Sequence, residues 1–266
     1  MWFMFFLAAA AAASLRERMN VSVWLSGAAY CEKHQYPTMV LGGPAQGFVY
    51  HTTLYDWRTD VQGYIGVLHS TKTIYVVIRG SESVRNWIRD FEVRKMAYSH
   101  CAGAEVHRGF YLSALAIRNQ TIDAITAYPY YSVLVTGHSY GAAVGQLLAM
   151  TMSKDMSMSK AISIDLINFG QPRIGNAAYV KCASEQLREY ARVTHDRDMV
   201  VHLPPRVLEF QHSCVEYFEN AHGQIVECSE CEDPMCAGQY QLRDTNVDDH
   251  MVYLGHELSC EASTIR

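Results

Sequence analysis

The sequence predicts an α/β fold, in which a mostly parallel central sheet is flanked by helices. Three observations support this prediction. From residue 74 onward, short apolar segments typical of buried strands alternate with longer segments of helical spacing. The 266 residues, 49% of them hydrophobic, are enough for one domain with a large core. A serine flanked by glycines lies where one of these strands meets a helix.

The elements can be placed in chain order from their residue patterns. Apolar and polar residues alternate over 48–55 and 61–69, which predicts two strands. Continuous apolar runs predict buried strands over 74–78 and 133–135, and two further strands are predicted over 162–169 and 191–194. Helical spacing predicts helices over 20–31, 142–152 and 177–190, and another that ends before Pro129.

The composition excludes some classes of partner. The formal net charge is -5, which gives no basic surface, so we expect no nucleic-acid partner. We find no internal repeat, low-complexity tract or long polar linker. Residues 14–266 are therefore predicted to form a single domain.

The first thirteen residues differ from the rest of the chain. They are continuously apolar, too short to span a bilayer, and end in the small-residue pattern Ala11-x-Ala13. This favours a signal peptide over 1–13, although no Lys or Arg precedes the apolar run. The alternative is a buried or interfacial helix. We predict secretion, with a cleavage position that the sequence does not fix.

A short amphipathic helix is predicted over 83–90. Val84, Trp87 and Ile88 share one face of it. Two interpretations remain open. The helix either packs on the surface of the core or forms a lid whose apolar face covers a lipid-binding cleft.

The stretch Gly137-His138-Ser139-Tyr140-Gly141 lies between a buried strand and a helix. Such a turn exposes the serine hydroxyl above the sheet, and the glycines avoid crowding the neighbouring strand and helix. The start of the helix favours a developing negative charge. Because active sites of parallel sheets lie at the carboxyl ends of strands, Ser81, Ser139 and Asp198 are expected at one edge.

Several motifs in series resemble the fungal-type class 3 triacylglycerol lipases of the α/β-hydrolase fold. The resemblance implies secretion, a lid and ester hydrolysis at a lipid surface, without a metal or organic cofactor. The motifs span about residues 75–255 and are Arg79-Gly80-Ser81-Glu82-Ser83, Asn86-Trp87, His107-Arg108-Gly109-Phe110, Gly137-His138-Ser139, the segment 168–176, Arg192-Val193-Thr194-His195, Asp198 with Leu203-Pro204-Pro205, and His250 with Tyr253-Leu254-Gly255.

A serine nucleophile needs a base and an orienting carboxylate, and this fold orders them Ser, Asp, His along the chain. Ser139, Asp198 and His250 satisfy that order. Asp198 matches the acid position of the resembled family, whereas Asp196 is interpreted as a solvated loop carboxylate. His250 has the His-x-x-Tyr-x-Gly spacing of the family. The rival histidines are His138, expected to pack beneath the site, His195, His202, and His256, expected to be exposed.

The oxyanion of the intermediate needs at least two donors. The backbone N–H of Tyr140 follows the nucleophile. The resemblance assigns the second donor to Ser81, through its N–H and hydroxyl. Asp90 is a weaker hypothesis for a residue that positions this loop. Many members of the family have Leu where this chain has Tyr140, and a phenol there could alter substrate choice.

Eight cysteines in a chain predicted to be secreted indicate disulfides. Cys228, Cys231 and Cys236 could form a metal site with Cys214, or a redox motif, but we favour a disulfide-linked insertion. The resemblance to the lipase family implies a disulfide between Cys31 and Cys260.

Together these patterns predict a secreted triacylglycerol lipase that acts at a lipid–water interface, makes transient contact with lipid or membrane surfaces, and is a monomer. A phospholipase A1 or a soluble-ester esterase could share the scaffold. A non-catalytic lipid-binding protein is disfavoured, because a binder needs no triad.

Overall fold

A computed structural model describes residues 2–89, 93–156, 164–187 and 189–265. Within helices, the side chains of 2–14, 87 and 154–156 lie outside this description. The strands are β1 (Phe48–Asp56), β2 (Val61–Leu68), β3 (Thr73–Ile78), β4 (Lys95–Ala97), β5 (Glu105–His107), β6 (Ser132–His138), β7 (Ile164–Phe169), β8 (Tyr190–His195), β9 (Glu216–Glu219), β10 (Ile225–Glu227), β11 (Val252–Tyr253) and β12 (His256–Glu257). The helices are α1 (Trp2–Ala28), α2 (Val84–Arg89), α3 (Arg108–Ile125), α4 (Tyr140–Met156), α5 (Ala177–Gln186) and α6 (Cys260–Ser263).

Eight of the strands form one sheet in the order β1-β2-β3-β6-β7-β8-β9-β10. Strands β3, β6, β7, β8 and β9 run parallel, and β1, β2 and β10 join the edges through antiparallel pairs. The prediction of a mostly parallel sheet is confirmed.

Both faces of the sheet are covered by apolar side chains. In β3, Ile74, Val76 and Ile78 face a cluster that includes residues of α3, α4 and α5. Tyr75 and Val77, which alternate with them, face a second cluster built around α1. The period of two therefore separates the layers, and the helices flank the sheet as predicted.

The helix predicted over 177–190 is shorter than expected. It ends at Gln186, and Leu187 is already extended (φ -84°, ψ 123°). Tyr190 instead begins β8, where it pairs with Leu166 of β7. The apolar positions Leu187 and Tyr190 have helical spacing, but pairing with the buried sheet overrides this local preference.

The sequence pattern did not predict β9 as a strand. Its segment begins and ends with a glutamate, yet Glu216 is only 1% exposed. Glu216 accepts hydrogen bonds from Arg192 (2.8 Å) and Thr194 (2.6 Å) of the adjacent strand. A buried ion pair therefore replaces the apolar residues that usually mark a core strand.

The N-terminal helix extends the predicted one. The helix expected over 20–31 is the C-terminal half of α1, which ends at Ala28. The predicted signal peptide, 1–13, falls on residue 1 and on side chains outside the description, and stays a prediction. Over the part of the chain that the structure describes, no helix combines the length and apolar character needed to cross a bilayer.

All eight cysteines are paired in disulfides. The bonds join Cys31–Cys260, Cys101–Cys182, Cys214–Cys231 and Cys228–Cys236. The pairing of Cys31 with Cys260 is confirmed, and it ties the end of α1 to α6. The cysteine-rich insertion is disulfide-linked, as we favoured.

Candidate active site

Ser139 occupies a strained turn between β6 and α4. Its φ of +58° lies in the left-handed region, which costs about 1–3 kcal/mol for a residue other than glycine. The turn is held by a hydrogen bond from Ser139 N to Phe169 O (2.9 Å). A Cβ on Gly141 would lie 2.2 Å from Ile78 O, and one on Gly137 would lie 2.8 Å from the same oxygen. Both glycines are required by the close approach of β3.

Asp198 and His250 form a buried pair at the same end of the sheet as Ser139, where the parallel strands have their carboxyl ends. Asp198 follows β8 by three residues, and His250 precedes β11. Their contact joins His250 Nδ1 and Asp198 Oδ2 at 2.8 Å, and both residues are fully buried. Asp198 also accepts hydrogen bonds from the Tyr253 hydroxyl and from Val200 N (2.7 Å).

The hydrogen bond fixes the tautomer of His250. A carboxylate only accepts, so Nδ1 carries the hydrogen and Nε2 has a free lone pair. Among the described residues, neither His250 Nε2 nor Ser139 Oγ has a hydrogen-bond partner, although both atoms are buried. A base and a hydroxyl are thus both left unsatisfied at one edge of the sheet.

A glycine allows the pair to approach the sheet. Gly170 follows β7 with φ +57°, and a Cβ there would lie 2.7 Å from His250 Cε1 and 3.0 Å from Asp198 Oδ2. Any larger residue at this position would collide with the imidazole–carboxylate contact.

The surroundings keep Asp198 ionised. Burial opposes its charge, but the electrostatic interaction with His250 and the hydrogen bonds from His250, Tyr253 and Val200 N outweigh this, so the pKa of Asp198 lies below its ordinary value. Burial raises the pKa of Tyr253 well above its usual value, and the adjacent Asp198 adds to the effect. Tyr253 therefore stays protonated as a donor.

The two expected oxyanion donors come from neighbouring elements. Tyr140 is the first residue of α4, where backbone N–H groups lack a partner within the helix. Ser81 follows β3, which pairs in parallel with β6 and places Ile78 opposite Gly137. A Cβ on Gly80 would lie 3.0 Å from His138 O. The backbone that leads into Ser81, the Ser81 segment, therefore runs directly alongside the turn between β6 and α4 that carries Ser139, which we call the nucleophile turn.

The phenol of Tyr140 is anchored against α3. Its hydroxyl donates to Ser113 Oγ at 2.6 Å, and its ring meets the Phe110 ring edge-on at 5.8 Å between centroids. Burial raises the pKa of Tyr140 to about 12, so it stays neutral. The hydrogen bond and the ring contact hold the Tyr140 side chain in place next to Ser139.

The rival acid and two of the rival bases, His138 and His195, make hydrogen bonds elsewhere. Asp196 is half-buried and accepts a hydrogen bond from Tyr240 (2.7 Å). His195 Nδ1 contacts Asp249 O at 2.9 Å. His138 is fully buried and contacts Tyr30 and the backbone of His250, beneath the site as expected. Burial, followed by the charge of Arg173, lowers the pKa of His202.

The expectation that His256 is exposed is wrong. Its side chain stacks on Trp24 with ring centroids 4.3 Å apart, and the residue is only 8% exposed. Its Nε2 lies 2.9 Å from Ser263 Oγ. The segment after β11 turns back into a two-stranded ribbon with β12, which carries His256 against α1. Burial lowers the pKa of His256 to about 4.

The short helix predicted over 83–90 is present as α2, over Val84–Arg89. Val84 is 6% exposed and Ile88 is half-buried, so these members of the apolar face are turned inward. The side chain of Trp87 lies outside the described part, and so does Asp90. In the described ranges, no three His, Cys, Asp or Glu side chains cluster as a metal site requires.

Sequence reasoning missed the contacts of two tyrosines. The position of Tyr253 was part of the motif around His250, but its hydroxyl bond to Asp198 was not foreseen. Tyr30 lies more than a hundred residues before His138, so no local signal connected them.

Comparisons with known proteins identify the family of the chain. A family model described as lipase (class 3) matches residues 75–208, half of the chain. The lipase of Rhizomucor miehei is 34% identical over 75% of this chain and 57% of its own length. The secreted mono- and diacylglycerol lipase 1 of Fusarium solani is 33% identical, over 68% of this chain and 56% of its own. The chain thus spans just over half the length of the curated relatives it matches.

Solved structures extend the similarity to nearly the whole fold. The triacylglyceride lipase of Rhizomucor miehei matches with a TM-score of 0.83 and 28% identity, over 93% of this chain and 97% of that chain. A triacylglycerol lipase whose catalytic centre is described as a serine protease triad matches with a TM-score of 0.82 and 30% identity, over 91% of this chain and 95% of that chain. The fold is that of the α/β-hydrolases, and the chain belongs to the class 3 lipase family.

Proposed function

We propose that the protein is a secreted serine hydrolase that cleaves the carboxylic ester bonds of acylglycerols at a lipid–water interface. One observation carries the proposal. The buried pair of Asp198 and His250 leaves a free imidazole lone pair at the edge where Ser139 occupies a strained turn. A structural serine needs neither the strain nor an adjacent unsatisfied base.

The first half of the reaction forms an acyl-enzyme. His250 Nε2 takes the proton of Ser139 Oγ as the oxygen attacks the ester carbonyl. The Tyr140 N–H and Ser81 stabilise the tetrahedral oxyanion, and losing one such donor typically costs about 2.7–4 kcal/mol of transition-state stabilisation. Asp198 orients the imidazole and stabilises its positive charge. His250 then protonates the departing glycerol oxygen, and the bond from the carbonyl carbon to that oxygen breaks.

The second half releases the fatty acid. Water takes the place of the alcohol, and His250 removes a proton as the water attacks the acyl carbonyl. The tetrahedral intermediate collapses, Ser139 leaves as the protonated hydroxyl, and the carboxylic acid departs. The proton transfers and the stabilisation of charge in both halves of the reaction involve only the three side chains and the oxyanion donors.

The described conformation supports a lidded enzyme. Ser139 and His250 are both fully buried, so a substrate reaches them only after a covering segment moves. Helix α2 directly follows the Ser81 segment and turns Val84 inward. We propose that Val84, Trp87 and Ile88 form the lid face, which contacts lipid when it opens.

Four disulfides support secretion, because such bonds persist in oxidising compartments. The apolar run over 1–13 supports a signal peptide there, which we propose. We also propose that the protein is a monomer that contacts lipid surfaces transiently, and the net charge of -5 favours no nucleic-acid partner.

Two substrate classes are favoured by particular relatives. Similarity to the Rhizomucor miehei lipase favours triacylglycerols, which we propose as the main substrate. Two relatives of this chain, from Fusarium solani (33% identical) and Penicillium cyclopium (34% identical), are named mono- and diacylglycerol lipases. Partial glycerides are therefore the second candidate, ahead of phospholipids or soluble esters.

The test is the initial rate of ester hydrolysis as triglyceride concentration crosses its solubility limit, for the mature protein and for Ser139→Ala. We expect the wild-type rate to rise sharply when an emulsion forms. We expect the variant to lose activity by roughly 10⁶-fold, to near background, because no other group supplies the nucleophile. Parallel assays with diacylglycerol and phosphatidylcholine rank the substrates.

Three results would change the account. Equal rates for wild type and Ser139→Ala would remove Ser139 from the mechanism and favour a binding protein. Saturation below the solubility limit would indicate an esterase for soluble substrates. If the protein hydrolyses diacylglycerol but not triacylglycerol, diacylglycerol and not triacylglycerol is its substrate.

A further inference from the structure

Two side chains beneath the site link three segments that carry the proposed machinery. Tyr30 lies two residues after α1, and His138 is the last residue of β6. The Tyr30 hydroxyl lies 2.6 Å from His138 Nδ1. His138 Nε2 lies 2.8 Å from the backbone oxygen of His250. A continuous chain of hydrogen bonds therefore runs from the end of α1 to the loop of the proposed base.

The directions of these bonds follow from their acceptors. The backbone oxygen of His250 only accepts, so His138 Nε2 carries the hydrogen. In a neutral imidazole Nδ1 is then a bare acceptor, and Tyr30 donates to it. The other tautomer would set two acceptor atoms against each other at 2.8 Å. The backbone oxygen of His250 thus selects the tautomer of His138, and the hydrogen bond donated by Tyr30 stabilises that tautomer.

The pair also contacts the segment of the proposed oxyanion donor. A Cβ on Gly80 would lie 2.0 Å from the Tyr30 hydroxyl oxygen, so that oxygen rests against the backbone just before Ser81. On the other side, the His138 and His250 rings pack with centroids 4.3 Å apart. One hydroxyl and one imidazole therefore touch the donor segment, the nucleophile turn and the base.

Both members of the pair are held neutral. Burial raises the pKa of Tyr30, with the Arg79 charge acting in the opposite direction. Burial, and then the adjacent His250, lowers the pKa of His138 well below its usual value. A second positive charge against the imidazole would oppose protonation of His250 during ester attack. A neutral ring avoids that conflict while still donating a hydrogen bond.

We propose that Tyr30 and His138 are positioning residues that set the place of the His250 imidazole relative to Ser139. This inference rests on the proposed function, since it concerns the same site. Neither residue touches the reacting atoms in this assignment. Their effect is on geometry, and geometry controls the rate of the chemical step more than the binding of substrate.

The first test is Tyr30→Phe, with Tyr36→Phe as the matched control. Tyr36 also has a buried hydroxyl near the end of α1, bonded to Ala29 O (2.7 Å) and Gln62 (2.7 Å), but it does not contact His138. With a soluble p-nitrophenyl ester, we expect Tyr30→Phe to lower kcat about tenfold and leave KM within about twofold. We expect Tyr36→Phe to keep kcat near wild type even if its thermal midpoint falls.

The second test compares two substitutions of His138. The amide nitrogen of glutamine reaches the place of Nε2 and can donate to the backbone oxygen of His250, whereas the shorter asparagine ends near Nδ1. We expect His138→Gln to retain several-fold more kcat than His138→Asn. Thermal unfolding of each variant identifies any that fails to fold and limits the comparison to folded protein.

Two outcomes would overturn the positioning role. One is an equal kcat for folded Tyr30→Phe and Tyr36→Phe, and the other is an equal kcat for folded His138→Gln and His138→Asn. Failure of the proposed function gives a different pattern, in which the wild type and Ser139→Ala hydrolyse esters at the same rate. The two claims are therefore tested separately.

Discussion

At the scale of single residues, the site depends on how many donors face one carboxylate. Asp198 is fully buried and accepts from His250, Tyr253 and Val200 N. Those contacts more than offset the cost of burying the charge, and they hold the pKa below its ordinary value. The carboxylate therefore remains ionised and holds the His250 imidazole through Nδ1.

Replacing Tyr253 with Phe tests this arrangement. The change removes a donor to a charged group, so we expect a loss of about 1.5–3 kcal/mol in the free energy of unfolding at neutral pH. A carboxylate whose pKa is lower in the folded than in the unfolded state stabilises the fold at pH values above its unfolded-state pKa. That stabilisation is lost as the pH falls through the folded-state pKa. The difference in unfolding free energy between wild type and Tyr253→Phe should therefore become smaller in acid. Urea denaturation between pH 7 and pH 3 measures it.

Tyr240→Phe is the matched control. Its hydroxyl makes the same kind of bond to Asp196, the rival acid, at 2.7 Å. We expect ester hydrolysis to fall in Tyr253→Phe and to stay near wild type in Tyr240→Phe. A larger loss of activity in Tyr240→Phe would favour Asp196 as the orienting carboxylate.

The sequence predicted Ser139, Asp198 and His250 as a set because chain order and motif spacing constrain all three. It did not predict their hydrogen bonds to other segments. Tyr30 and His138 are 108 positions apart, and their contact depends on packing α1 under β6. The burial of His256 was missed for the same reason, since it depends on Trp24 of α1.

At the scale of elements, the approach of β3 to the nucleophile turn decides which residues fit. Strands β3 and β6 pair in parallel, with Ile78 opposite Gly137. The backbone oxygen of Ile78 then lies where a side chain at Gly141 would begin. The glycine pattern was readable in the sequence because this packing permits no Cβ. The strand β9 could not be predicted from the sequence, because its buried residue Glu216 is charged and breaks the apolar pattern of a core strand.

Gly141→Ala is predicted to destabilise the fold by about 3 kcal/mol or more, because the new Cβ would meet backbone that cannot rotate away. Gly145→Ala, one turn later in α4, is the control. There the nearest atom is a Val135 methyl at 3.3 Å, so a small shift accommodates the change. Thermal and urea unfolding compare the two. Equal stabilities would contradict the close packing of β3 on the turn.

At the scale of the whole molecule, the disulfides divide into long and short closures. Cys31 and Cys260 are separated by 229 residues, whereas Cys228 and Cys236 are separated by 8. The long bond joins α1, which covers one face of the sheet, to the C-terminal helix. The short bond stabilises only the insertion between the acid and the base.

Removing these bonds should therefore have unequal effects. The loop-entropy relation gives about 5 kcal/mol for the loss of Cys31–Cys260 and about 2.5 kcal/mol for Cys228–Cys236. We expect the double alanine variant of the long bond to show the lower thermal midpoint and the lower free energy of unfolding. A greater loss from the short bond would show that the insertion, and not the attachment of α1, limits stability.

The central claim is that Ser139 is a nucleophile activated by His250. The most direct measurement is covalent labelling with an alkyl p-nitrophenyl phosphonate, read by peptide mass spectrometry and by release of nitrophenol. We expect one phosphonyl group on the peptide that contains Ser139, no label there in Ser139→Ala, and much slower labelling in His250→Ala. Labelling of another serine such as Ser81, or an unchanged rate in His250→Ala, would contradict it.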